Sequence, residues 1–310
     1  MNRRSARHGS LLLGIAAALL ASCDRSPPDA PLPTAAAPIA FHSVPYWTPR
    51  YQVANSAIYV LNTDGSETRL TDGSASDSYP KWSPDGSRIA FVSTRDGDDN
   101  WQIYVMDASG SNQVNVSNNR ALEYGPTWSP DGSKIAFVST RENLGQIYVM
   151  NADGSDQTRL TEGGLGNYAP SWSPDGTRLA FMSSRDRNLD VYVMDADGSN
   201  ETRLTTHPAD DSVPAWSPDG RSIVFESMRD GNSELYVMAP DGSDLTRLTE
   251  NSATDSNPSW SPEGDKIVFE SSLFDNFEIY SIRPDGSDLV RMTMNSTSDH
   301  APSWSPSRGR

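Results

Sequence analysis

Residues 125–161 read GPTWSPDGSKIAFVSTRENLGQIYVMNADGSDQTRLT, and this stretch decides the fold. Gly125-Pro126-Thr127-Trp128 leads into Ser129-Pro130-Asp131-Gly132, a type I turn with Pro at its second position and Gly at its fourth. A β-rich run over 134–138 follows, then a polar loop, then Gln146-Ile147-Tyr148-Val149-Met150. Asn151-Ala152-Asp153-Gly154 makes a second tight turn, and Thr158-Arg159-Leu160-Thr161 alternates as a half-exposed outer strand does. The reading is four short antiparallel strands with no helical period.

The same unit recurs. Trp-Ser-Pro stands at Trp82, Trp128, Trp172, Trp216, Trp260 and Trp304, at intervals of 46, 44, 44, 44 and 44 residues. Four of them continue as Trp-Ser-Pro-Asp-Gly; Trp260 has Glu263 in place of the Asp, and Trp304 runs into the last residues. Four strands in this length are one blade of a β-propeller. A single blade leaves its own apolar faces uncovered, so blades must pack on one another around an axis.

The two ends complete the count. The last repeat stops after its innermost strand, at Trp304, and the missing strands stand near the N-terminus. Ile39-Ala40-Phe41 matches the second strand, Ile58-Tyr59-Val60 the third and Thr68-Arg69-Leu70-Thr71 the fourth. Residues 39–310 therefore read as an all-β, six-bladed β-propeller with four antiparallel strands per blade. Five blades are continuous, and a sixth, built from both ends of the chain, closes the ring and leaves no free radial edge. The split blade carries an insertion: Ile39 to Ile58 is 19 residues, against 12 from Ile135 to Ile147.

The pattern P-x-W-S-P-D-G-x-x-I-A-F, then I-Y-V-M-x-x-D-G-S, then T-R-L-T resembles the TolB-type, WD-like propeller repeat over about residues 39–310. The resemblance implies the fold; it says little about activity, because propellers host many. TolB itself carries an α/β domain before its propeller. Only a short tether precedes Ile39, so the chain resembles a stand-alone relative, and the repeat alone does not establish a role in a Tol–Pal system.

Residues 1–22 read as an export signal: Arg3, Arg4 and Arg7 start it, an apolar run from Leu11 to Leu20 follows, and it is too short for an ordinary membrane span. Leu20-Ala21-Ser22-Cys23 resembles a bacterial lipobox, which implies a lipoprotein acylated (with palmitate or a similar chain) at Cys23, the only cysteine. Each buried methylene adds about 0.8 kcal/mol, so two or three chains make a firm membrane anchor where one does not. Residues 23–38, rich in Pro and Ala, read as the tether. Asp24 leans the placement toward an inner membrane facing the periplasm, with the cell surface as the other reading.

The three arginines are the only charges in residues 1–22, so the remainder carries 22 basic against 41 acidic residues, a formal −19. That balance argues against nucleic acid and against charge-driven binding to anionic membranes. It suits a basic partner, or simply keeps an exported protein soluble.

Catalysis has thin support. There is no G-x-S-x-G, and His42, His207 and His300 fall in different blades on this reading. The Asp-Gly pairs are β-turns: around Asp153-Gly154 an EF-hand register would put Val149 first and Leu160 twelfth.

One ring of residues stands out. Five positions before each tryptophan are Asp77, Glu123, Asn167, Asp211, Asp255 and Asp299, followed by Ser78, Tyr124, Tyr168, Ser212, Ser256 and His300. Six-fold closure would gather them at one mouth of the channel, as a focused negative potential with Tyr124 and Tyr168 as anchors. The competing reading is structural, each Asp accepting hydrogen bonds inside its own blade. The repeated tryptophans read as blade packing, and Tyr46, Trp47 and Tyr51 in the insertion as a contact surface. The sequence thus points to a non-enzymatic envelope scaffold, a monomer, that binds a protein or basic peptide segment. The alternatives are a small-molecule, glycan or cation (calcium, for example) binder at the channel mouth and, behind it, a hydrolase or lyase. No cofactor is implied.

Overall fold

The turn after each of the first five repeated tryptophans forms as its residues dictate. Gly86 N–H donates to Ser83 O at 2.9 Å, and the Asp85 carboxylate accepts from the Ser83 hydroxyl and the Ser87 N–H. Gly86 takes φ 68°, which costs a residue without Cβ nothing. Those hydrogen bonds, the Ser83 hydroxyl first, hold the Asp85 carboxyl down at about 2. The turn recurs at 129–132, 173–176, 217–220 and 261–264.

The computed structural model describes residues 35, 37–45, 55–97, 100–163, 165–274 and 276–306, all within one unit spanning 32–310. Six four-stranded antiparallel sheets account for the strands. The first blade holds Asp77–Trp82, Arg88–Ser93, Gln102–Asp107 and Val114–Asn115 from the axis outward. The second to fifth blades repeat it, starting at Glu123–Trp128, Asn167–Trp172, Asp211–Trp216 and Asp255–Trp260. The split blade orders C-terminal Ser298–Trp304 against N-terminal Ile39–Val44, then Ala57–Leu61 and Glu67–Arg69. Each innermost strand touches the next, and the last touches the first. The ring closes as its ends predict.

Two details differ from the sequence reading. The innermost strands begin two residues earlier than Gly125-Pro126-Thr127-Trp128 suggests, at Glu123 in the second blade. In that blade the polar loop between second and third strands is a tight hairpin: Lys134–Glu142 and Leu144–Asn151 meet at Asn143, with φ 74°.

The core lies between blades. Phe41, Phe91, Phe137, Phe181, Phe225 and Phe269, one per second strand, are fully buried. Each faces a Tyr of the third strand at 5.7–6.0 Å. Ala40, Ile58 and Val60 of the split blade pack on Ile89, Phe91 and Met106 of the first, so neither blade covers itself. The tryptophans knit blades together: Trp128 Nε1 donates to Lys81 O and Trp260 Nε1 to Ala215 O, both at 3.1 Å.

Candidate binding site: the central channel

A β-bulge breaks each innermost strand three residues before its tryptophan. The ladder register shifts between Ser78 and Lys81, and equivalently in the next four blades. Tyr79, Gly125, Ala169, Val213, Asn257 and Ala301 all sit there at φ between 46° and 62°. One extra residue re-aims the side chains around it. Residues on the tryptophan side of the break line a central cavity of about 910 Å³. The lining runs from Asp210 and Thr254, ahead of the inner strands, to Pro84, Pro218, Pro262 and Pro306 in the turns after them.

The six residues read as a channel-mouth ring lie on the other side of that break, and their expected place is corrected. Asp77, Glu123, Asn167, Asp211, Asp255 and Asp299 are all buried and none lines the cavity. Each begins or nearly begins its strand, with its side chain turned into its own blade. In four blades an arginine at or just past the end of the second strand clamps it: Arg95 on Asp77 (3.0 Å), Arg141 on Glu123 (3.1 Å), Arg185 on Asn167 (3.0 Å) and Arg229 on Asp211 (2.9 Å). The guanidinium lies over the third-strand tyrosine, 4.6 Å from the Tyr236 ring for Arg229.

The fifth and split blades lack that arginine. Asp255 accepts from Ser271 and Asn251 instead, and Asp299 from Asn295 and Thr297. Burial then raises both carboxyls; that of Asp299, with the charge of Glu278 nearby, goes up to about 6. The focused negative mouth is therefore not formed by these groups.

Tyr124 and Tyr168 do reach the cavity. Their rings stack at 6.5 Å and 18°, and Trp101 meets Tyr124 edge-on at 6.2 Å. Two glycines make the room: a Cβ on Gly145 would stand 2.2 Å from Tyr168 Cε1, and one on Gly166 2.1 Å from its hydroxyl. Burial and the neighbouring Tyr168 push the Tyr124 phenol up to about 12. Trp101 and Met228, both exposed, also line the opening.

The Glu226 carboxyl lines the cavity and other titratable groups are packed near it, and sequence reading missed most of them. The residue after each second-strand Phe is Val92, Val138 or Met182 in three blades and His42, Glu226 or Glu270 in the others, and these last three face the next blade's bulge. Glu226 Oε1 accepts from Asn257 N–H at 2.7 Å, and Glu270 Oε2 from Ala301 N–H at 2.6 Å. Ser212 and Ser256 donate to the second oxygens. Burial, with Glu270 nearby, raises the Glu226 carboxyl to about 7. Burial also disfavours the Glu270 charge, yet the hydrogen bond and charge of His300 and the Ala301 N–H leave its carboxyl below the usual value.

His42 and His300 correct a further expectation. They belong to one blade, are cross-strand partners, and their rings lie 5.4 Å apart, tilted by 30°. Closure of the ring joins the chain ends, and so joins these histidines; the match of Ile39-Ala40-Phe41 to a second strand already implied it. Burial and His300 lower the His42 imidazole to about 3, so it is neutral. His300 Nδ1 faces Glu270 Oε1 at 3.5 Å. Ser256 donates to Glu270 rather than to an imidazole, which gives no activated nucleophile there. His207 lies exposed in a loop of another part of the ring. Among the described residues no three His, Cys, Asp or Glu side chains converge to hold a metal ion. Cys23, Asp24, Tyr46, Trp47 and Tyr51 lie outside the described residues.

The sequence pattern of the TolB beta propeller domain matches residues 50–169 and 165–309. Among solved structures, TolB from Acinetobacter baumannii superposes with a TM-score of 0.77 at 23% identity, over 87% of this chain and 67% of that one. A protein provisionally assigned as TolB from Agrobacterium tumefaciens gives 0.68 at 26% identity, over 84% and 90%. Hydrazine synthase of Kuenenia stuttgartiensis gives 0.71 at 17% identity, over 90% and 48%, a likeness of fold alone.

Proposed function

The chain belongs to the TolB β-propeller family, and from that premise we propose that it is a non-enzymatic scaffold of the bacterial envelope that binds a protein or peptide segment at the channel mouth. The observation that carries this reading is the arc of Trp101, Tyr124 and Tyr168 at an open cavity of about 910 Å³. Aromatic side chains that are held in place yet reachable supply large contact area at small entropic cost, and interfaces are enriched in them. A net charge of −16 favours a segment that is basic overall. Residues 1–22 act as the signal peptide, Cys23 carries the lipid and residues 23–38 tether the propeller, which faces the periplasm or the cell surface and works as a monomer.

Two experiments test it. Crosslinking pull-downs from intact envelopes would compare the wild type with Tyr124→Ser/Tyr168→Ser. A partner captured by the wild type and lost from the variant supports the aromatic arc as the site; a partner kept by both moves the site elsewhere; none in either overturns the scaffold reading. For the anchor, Cys23→Ala should release the protein from membranes and abolish incorporation of a labelled fatty acid. Retention of the label would place the lipid elsewhere.

A further inference from the structure

The six-fold repeat is its own control for what the fold requires. At the channel position before each tryptophan stand Lys81, Thr127, Ser171, Ala215, Ser259 and Ser303, so five blades manage without a charge there. At the position after each buried Phe, Val92, Val138 and Met182 show that three blades need no acid. Lys81, Glu226 and Glu270 are departures from the repeat; Lys81 and Glu226 line the channel, and Glu270 is hydrogen-bonded to Ser256 and Ala301, which line it too.

Their charges are not used up on each other. Among the described residues the Lys81 ammonium has no hydrogen-bond or ion-pair partner, and the charge of Glu270 acts on it. Burial lowers its ammonium to about 8, and Glu270 opposes that shift. The carboxylates are aimed, not mobile: a bulge N–H and a serine hydroxyl fix each one. Tyr79 reaches toward the same place, its phenol raised by burial and by the charges of Glu270 and Glu226. The hydroxyls of Thr127, Ser259 and Ser303 share the ring with Lys81. A cavity lined by the Lys81 ammonium and by the fixed Glu226 carboxyl is completed by a ligand that carries both signs.

We propose that the channel binds a small zwitterion, a free amino acid or short peptide, with its carboxylate on Lys81 and the ring hydroxyls and its ammonium on Glu226, with the charge of Glu270 nearby. The volume is in the range of small-molecule pockets, about 300–1,000 Å³. This site uses other residues than the aromatic arc and stands independently of the scaffold reading.

The test uses purified full-length protein without any partner, and four probes: alanine, alanyl-alanine, its N-acetyl form and its C-terminal amide. Thermal shift and calorimetry should show binding by at least one of the two free zwitterions, alanine or alanyl-alanine, and which one binds tells whether the source is an amino acid or a peptide. Blocking either end should weaken binding at least about tenfold. In Lys81→Met the amide and the free dipeptide should bind alike; in Glu226→Gln/Glu270→Gln the acetyl and free forms should. No binding by either free zwitterion with a Kd below about 1 mM overturns the proposal. So does equal binding of blocked and free forms to the wild type, a result that holds even where a variant fails to fold.

Discussion

Arg229 Nη2 donates to both oxygens of Asp211, at 2.9 and 3.1 Å, across one buried blade. A repeated acid that would have been a recognition group at the channel mouth is thus half of a structural clamp. Removing one partner leaves an uncompensated buried charge, so Asp211→Ala should destabilise by about 3–5 kcal/mol. Asp211→Asn should cost far less, about 1 kcal/mol, because the third blade already holds Arg185 on the amide of Asn167. Urea unfolding ranks the two, and equal losses would show that the charge itself is indispensable.

Asp299 has no such arginine, and its raised carboxyl makes folding depend on pH. Its value is about 6 in the folded chain against 3.8 for an unperturbed group. A raised carboxyl contributes stability that is fully present below about 3.8 and is lost as pH rises through about 6. Asp299→Asn cannot titrate, so relative to the wild type it should gain about 2.4 kcal/mol between pH 4 and pH 7. Unfolding midpoints at the two pH values check this; a difference that does not change with pH would mean the charge is relieved some other way.

Much of this was legible in order along the chain and little of it in depth. The Trp-Ser-Pro-Asp-Gly turns depend on four adjacent residues, so local chemistry alone predicts them, and their period counts the blades. Closure needed only the match of Ile39-Ala40-Phe41 to the other second strands. The side on which Asp211 faces was not legible, because one bulge residue, Val213, reverses the alternation that a strand otherwise imposes. The Glu226–Glu270–Lys81 group was hidden for another reason. Its members sit in repeat positions that are, apart from His42, apolar or hydroxylic elsewhere, and they come together only once the blades form a circle. What could have flagged them is departure from the repeat.

Gly145 tests the aromatic arc from behind. Its Cβ would stand 2.2 Å from Tyr168 Cε1 and 3.1 Å from the Tyr124 hydroxyl. Gly145→Ala must therefore displace Tyr168 and part the stacked pair, at an overpacking cost of about 1–3 kcal/mol. Near-ultraviolet circular dichroism should lose the tyrosine signal of that pair while far-ultraviolet spectra stay unchanged, and partner capture should fall with it. Capture at the wild-type level from a variant with parted rings would remove the arc from the binding surface.

Val213 tests the bulge. It is β-branched and holds φ 46°, a conformation that costs such a residue about 1–3 kcal/mol. The second blade uses Gly125 at this place, and the third uses Ala169. Val213→Gly removes the steric conflict but adds about 0.5–1 kcal/mol of backbone entropy to the unfolded chain. Val213 is only half-buried, so little packing is lost. The balance predicts stabilisation by about 1 kcal/mol for Gly, with Ala between Gly and Val. Equilibrium unfolding of the three proteins gives the order directly. Were Gly the least stable, the wall contacts of Val213 would outweigh its strain, and the bulge would be held by its side chains rather than in spite of them.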